Sequence, residues 1–186
     1  MQKLEIENRE TNIYTNIIHG EVWKSKIATI INKIVIPYLL YYDDLEINNA
    51  LGSHSTEQSL AAFYYSFPSI PQHHLSLLEN IFVALVYKSK DFCHGNDACL
   101  SNLIKEIKDL ENNGLLLHTR EGQFQVYFIL GAIVGDNLGL NSLLGFTKSF
   151  KSSYPCRICK MDQSEIQSTC KEIPSKFRNE INYDAD

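Results

Sequence analysis

Three aspartates and three cysteines are the residues of this chain whose types and spacing suit metal chemistry: Asp43, Asp44 and Asp136 in one set, Cys156, Cys159 and Cys170 in the other. Carboxylates brought together in pairs hold hard divalent cations such as Mg2+ or Mn2+, which take oxygen ligands. Two such ions about 3.5–4 Å apart can activate a water and stabilise the leaving oxygen of a phosphodiester. Cys156-x-x-Cys159 supplies half of a tetrahedral Zn2+ site, Cys170 is the candidate third ligand, and the fourth is unassigned. A haem-attachment reading fails because Lys160 stands where His is required, and a thioredoxin-like reading lacks its strand-to-helix context. Each set has a plainer alternative. Asp43, Asp44, Asn48, Asn49 and Gly52, like Gly135, Asp136, Asn137 and Gly139, are residue types that turns after strands use anyway, and the cysteines can be ordinary free thiols. The histidines are scattered; His54 follows the first acidic segment and suits either a hydrogen bond near the acids or a turn. Cys93, His94 and Cys99 form a short cluster that reads as accident before it reads as a remote metal site.

Positioning the aspartates falls to the elements around them. Residues 1–20 show no clear period and read as an arm. Ile27, Ile30, Ile31 and Ile34 recur at helical spacing, which predicts a short helix ended by Pro37. The run Tyr38 to Tyr42 predicts a strand stopping at Asp43-Asp44; Leu60 to Phe67 and Asn80 to Lys88 predict a second and a third, the last also long enough for a buried helix. Leu100, Leu103, Ile104, Ile107 and Leu110 line one face of the clearest helix, with Asn96 or Asp97 as its cap and Gly114 just past its end. After a Glu121-Gly122 turn, Gln123 to Gly135 predicts a long strand ending at Asp136. Three strands, a helix and a further strand is the order of a ribonuclease-H-like mixed sheet. There a right-handed crossover helix lays the fourth strand parallel to the first, and acids at the two strand ends emerge side by side. The expected plan is therefore α/β: an arm and short helix over 1–34, a partial ribonuclease-H-like core over 35–150, and a small Cys-containing appendage with a polar tail over 151–186.

Composition narrows the function classes. An apolar share of 44% with 10 Tyr and 9 Phe is enough for a packed core and excludes a disordered chain. The net charge of −5 argues against a broad nucleic-acid-binding face, which needs clustered Lys and Arg. A local patch over Lys148, Lys151, Arg157 and Lys160, interleaved with Phe146, Phe150 and Tyr154, could touch a DNA backbone, though such a run is also what a solvated face looks like. The first ten residues do not resemble a signal peptide, and the longest apolar run, Val126 to Val134, is far below the ~20 residues of a membrane helix. A nuclear or cytoplasmic protein, neither secreted nor membrane-bound, is expected. Five cysteines without regular spacing fit reduced thiols or metal ligands better than disulfides.

Two segments carry a family resemblance. Tyr41-Tyr42-Asp43-Asp44-Leu45-Glu46 with Asn48-Asn49-Ala50-Leu51-Gly52-Ser53-His54 resembles the "YYDDFE…NPLGSH" segment of transposon-encoded proteins. Gly135-Asp136-Asn137-Leu138-Gly139-Leu140-Asn141-Ser142 through Phe146, followed by Cys156-Arg157-Ile158-Cys159-Lys160, resembles their "GDNLGLNSILGF…CRFCK" segment. The plan is also similar to the CACTA-type transposase core, and the resemblance covers about Tyr38 to Lys160. It implies a DDE-type transposase, which cleaves and transfers DNA strands with divalent metal. One of Asp43 and Asp44 would be the first ligand and Asp136 the second. Asp44 is favoured because it leads into the Asn-rich turn. The family's third acid lies in a His-Asp-Leu-Leu-Glu-Gly-like segment that does not occur before Asp186, and Ala50 replaces the family's usual proline. Glu165, Glu172 and Glu180 lack the matching context. The expectation is thus a fragment that does not cut DNA alone: DNA is the partner of the full-length ancestor, and weak or none for this chain. The alternative is a non-catalytic, domesticated or decayed zinc-binding module that recruits a protein partner.

Overall fold

Strand β1, Ile34–Glu46, is the centre of a five-stranded sheet. Tyr38, Leu40 and Tyr42 alternate along it and are all buried, the period-2 pattern of a strand covered on that face. The computed structural model of the chain describes residues 16–30, 32–46, 59–94, 96–149, 151–179 and 181–183. It divides into two compact units, Met1–Val134 and Gly135–Asp186.

In the first unit, helix α1 (Glu21–Ile27), which buries Trp23, precedes β1. Strand β2 (Ser59–Ser66) pairs antiparallel with β1, with Leu40 opposite Tyr65, Tyr42 opposite Phe63 and Asp44 opposite Ala61. A one-turn helix α2 (Gln72–Leu75) leads to β3 (Phe82–Lys88), antiparallel to β2, with a register shift at Phe63/Tyr64. Then come helix α3 (Asn96–Asn112), β4 (Leu115–Thr119) and β5 (Gly122–Gly135). The sheet order is β3-β2-β1-β5-β4. The sheet is mixed: its other three neighbouring pairs are antiparallel, which leaves β1 and β5 as the parallel pair. Leu100 and Leu103 of α3 are buried along with Leu40, Tyr42 and Phe63 of the sheet.

The sequence reading needs correction in three places. The isoleucines at helical spacing do not form one helix: α1 stops at Ile27, and Ile34 already begins β1. Pro37 therefore lies inside a strand, two residues before the β1–β2 ladder starts at Leu39. Second, β1 does not stop at the aspartates but runs through Asp43 and Asp44 to Glu46. Third, β4 is an additional strand. It forms a hairpin with β5 around Arg120-Glu121, where the Thr119 hydroxyl accepts the Glu121 N–H and donates to the Gly122 carbonyl. Helix α3 is as expected, although Asn96, read as a cap, is already helical. Gly114 ends it at φ +64°, and a Cβ there would run into the Val126 carbonyl oxygen.

Because β4 pairs with β5 only as far as Val126, the far edge of β5 needs other partners. Glu111 of α3 accepts the Leu130 N–H at 3.2 Å, and Lys26 of α1 donates to the Leu130 carbonyl at 2.8 Å while pairing with Glu111 at 3.4 Å. Two helices are thereby tied to an edge that would otherwise present open backbone groups.

The second unit begins where β5 ends. Helix α4 (Asn137–Leu143) buries Leu140, Asn141 and Leu143, and helix α5 (Gln163–Ser168) starts with a capping box between Asp162 and Glu165. No helix among the described residues is long and apolar enough to cross a membrane.

Candidate functional site

Asp44 and Asp43 are consecutive strand residues and so project to opposite faces of β1. Asp44 is exposed, yet its carboxylate is held from two sides: the Ser89 hydroxyl donates to Oδ1 at 2.5 Å and the buried Tyr42 hydroxyl to Oδ2 at 3.3 Å. Asp43, on the other face, acts on Tyr64, whose hydroxyl is held above the usual tyrosine range by burial first and by the Asp43 charge second. Of the two, Asp44 is the one whose orientation is fixed.

Asp136 follows β5 directly and is the N-cap of α4. Its Oδ1 accepts the Gly139 N–H at 2.5 Å, in the extended conformation that caps adopt. An ionised carboxylate offers about four acceptor positions, so neither this bond nor those of Asp44 uses up its capacity for a cation.

The cysteines lie in the second unit. Ile158 donates its N–H to Cys156 Sγ at 3.3 Å. Burial pushes the Cys156 thiol up, but the Ile158 amide, Cys159 and the Arg157 charge outweigh it and leave the pKa lowered. Burial and the neighbouring Cys156 leave Cys159 raised. One thiolate thus forms more readily than two, because the second must ionise beside the first. The amide turned onto Cys156 stabilises negative charge on that sulfur.

Around this turn the chain is braced by arginines. Arg157, between the two cysteines, donates from Nη1 to Asn137 Oδ1 at 2.9 Å and to Asn141 Oδ1 at 3.3 Å; Asn141 in turn donates to the Thr147 carbonyl at 3.0 Å. Arg178 donates to the Cys156 carbonyl at 3.2 Å and lies 4.9 Å from the Phe146 ring centroid. Backbone bonds from Lys160 to Lys176 and from Arg178 to Ile158 join the turn to the following segment, which is therefore no loose tail.

Cys170 is exposed, and Glu165 is engaged by the capping box and by Lys176 at 3.0 Å. Among the described residues, no group of three or more His, Cys, Asp or Glu side chains is assembled that could hold a metal ion. So Cys170 does not complete a triad with Cys156 and Cys159. His54 and residues 48–53, expected as a turn, lie outside the described residues, as do the side chains of Cys93 and His94. His73, His74 and His118 are exposed.

No family model and no curated protein matches the chain.

The sequence reading missed Ser89 and Tyr42 as partners of Asp44, and it placed Arg157 in a DNA-facing patch. No sequence pattern links Arg157 to Asn137 and Asn141, 20 and 16 residues earlier.

Proposed function

We propose that the chain derives from a DDE-type transposase built on a ribonuclease-H-like sheet, with Asp44 and Asp136 as the first two carboxylates of its divalent-metal site. The observation that carries the reading is the parallel pairing of β1 with β5. Parallel neighbours finish on the same side of a sheet, and the chain reaches Asp44 two residues before the end of β1 and Asp136 one residue after the end of β5. Strand β4 departs from the plan, since it comes between the crossover helix and the strand that returns to β1. As an antiparallel edge hairpin, it leaves the crossover intact. Asp44 and Asp136 would hold Mg2+ or Mn2+, which when bound polarises a phosphodiester and its attacking water. Ser89, Tyr42 and the Gly139 amide hold the carboxylates in orientation.

These 186 residues alone are proposed not to cut DNA. Two-metal chemistry needs enough carboxylates to fix both ions, and a net charge of −5 repels the polyanion. The test is incubation with supercoiled plasmid and oligonucleotide ends in Mg2+ or Mn2+. No cutting is expected; metal-dependent cutting that disappears in Asp136→Ala would overturn this part of the proposal.

A second reading, a zinc-binding module that recruits a protein partner, is favoured by the Cys156-x-x-Cys159 spacing and the Ile158 amide turned onto Cys156. With no third ligand among the described residues, this turn is half of a tetrahedral site. Metal analysis of purified protein should find zinc that Cys156→Ser removes. Zinc near zero, or zinc unchanged in Cys156→Ser, would refute it.

A further inference from the structure

Strand β4 forms one edge of the sheet, and among the described residues no strand lies on its outer side. The two-residue loop makes Thr119 and Gly122 a hydrogen-bonded pair, and such pairs alternate along an antiparallel ladder. Leu115, Leu117 and Thr119 therefore turn their backbone groups inward to β5, while the N–H and C=O of Leu116 and His118 point outward. The side chains beside these open groups are apolar and exposed: Leu115 is 45%, Leu116 52% and Leu117 40% exposed. An apolar edge with unpaired backbone groups is a template for another strand. The opposite edge is blunted, because β3 carries a register shift against β2 and ends in Lys88. Leu115 to Thr119 contains no proline, no charged residue and no shift in register.

We infer that β4 docks on β4 of a second copy of this chain, joining the two sheets edge to edge. The occupant follows from self-complementarity. Antiparallel pairing about Leu117 sets Leu116 opposite His118 of the second copy and His118 opposite its Leu116, so every outward group of both edges finds its complement. A shift by two residues in either direction would set one of them against Gly114 or Arg120 instead. In this register Leu117 meets its counterpart at the close spacing of a non-hydrogen-bonded pair, and Leu115 meets Thr119. Charge agrees at both ends. The pairing brings Arg120 opposite Gly114 of the second copy, at the C-terminal end of α3, whose last turn holds Asp109 and Glu111 and no basic residue. Glu121 falls opposite Asn113. The edge is separate from the acidic and cysteine positions, and the inference does not depend on the proposed function.

Sedimentation equilibrium of the 186-residue chain, from micromolar to millimolar, should show the mass rising from 21.3 kDa toward twice that value. Two short edges make a small interface and hence a weak dimer. Hydrogen exchange at low and high protein concentration should slow at Leu116 and His118 and stay constant in β3. Leu116→Pro deletes one outward N–H per copy and spares the β4–β5 bonds, since proline is tolerated on an edge strand where the N–H faces solvent. Its Kd should rise about 10-fold or more, two hydrogen bonds being lost, and continued protection of the Leu117 amide reports that the hairpin is kept. Arg120→Glu, outside the ladder, should raise Kd about 3-fold or more at low salt, and it decides the matter if Leu116→Pro opens the hairpin. A chain that stays monomeric to millimolar overturns the inference. So does a dimer whose concentration-dependent protection lies in β3, or one whose Kd is unchanged in either folded variant.

Discussion

At the scale of single residues, the two motifs that look separate in the sequence are joined by Arg157. Its guanidinium spans Asn137 and the buried Asn141, so the turn carrying the cysteines and the helix capped by Asp136 are one construction. Arg157→Ala removes the donor to a buried amide oxygen, a loss worth about 1–3 kcal/mol. Hydrogen exchange should quicken in α4 and around Cys156 while β1 to β3 keep their protection, and Arg157→Lys should restore little because an ammonium cannot reproduce the fork. Unchanged exchange in α4 would show that the brace is incidental. The paired cysteines were legible from spacing because a two-residue gap is itself a local structure. Arg157 was not, because its partners lie 20 and 16 residues earlier and no periodicity connects them. For the same reason the Ser89 contact to Asp44, which spans 45 residues, was invisible.

Among the elements, those with a period and a stop signal were readable. The 3.6-residue pattern of α3 and Gly114 behind it gave both the helix and its end, because the left-handed backbone there suits glycine and few other residues. Gly114→Ala meets an unfavourable φ and the Val126 carbonyl together. A loss of at least about 1–2 kcal/mol is expected, read as a lower midpoint in urea. A midpoint equal to the parent's would mean that the α3–β4 junction relaxes freely. What the sequence hid was decided by tertiary context. Ile27 to Ile34 has a helical period but is split between α1 and β1. The five residues of β4, exposed throughout, are too short for an apolar run to be told from a loop. The length of β1 was hidden as well: two aspartates read as a stop, yet both pair with alanines of β2, whose small side chains leave the carboxylates room.

For the whole molecule, the α/β class and the adjacency of the first and last long strands followed from the order of elements, since a crossover helix returns the chain to its starting strand. The hairpin of β4 did not follow, and no pattern in the sequence marks the division at Gly135 that sets Asp136 with the cysteines. The proposal is that Asp44 and Asp136, remote in sequence, serve one divalent cation. Paramagnetic broadening by Mn2+ tests it most directly, because the ion's effect is local and reads every amide at once. Titrated into the nitrogen-labelled chain, Mn2+ should broaden the amides of Asp44 to Glu46 and of Gly135 to Asn137 together, at the same concentration. Either Asp44→Asn or Asp136→Asn should abolish both effects. Broadening confined to one segment, or persisting at one acid when the other is neutralised, would contradict it.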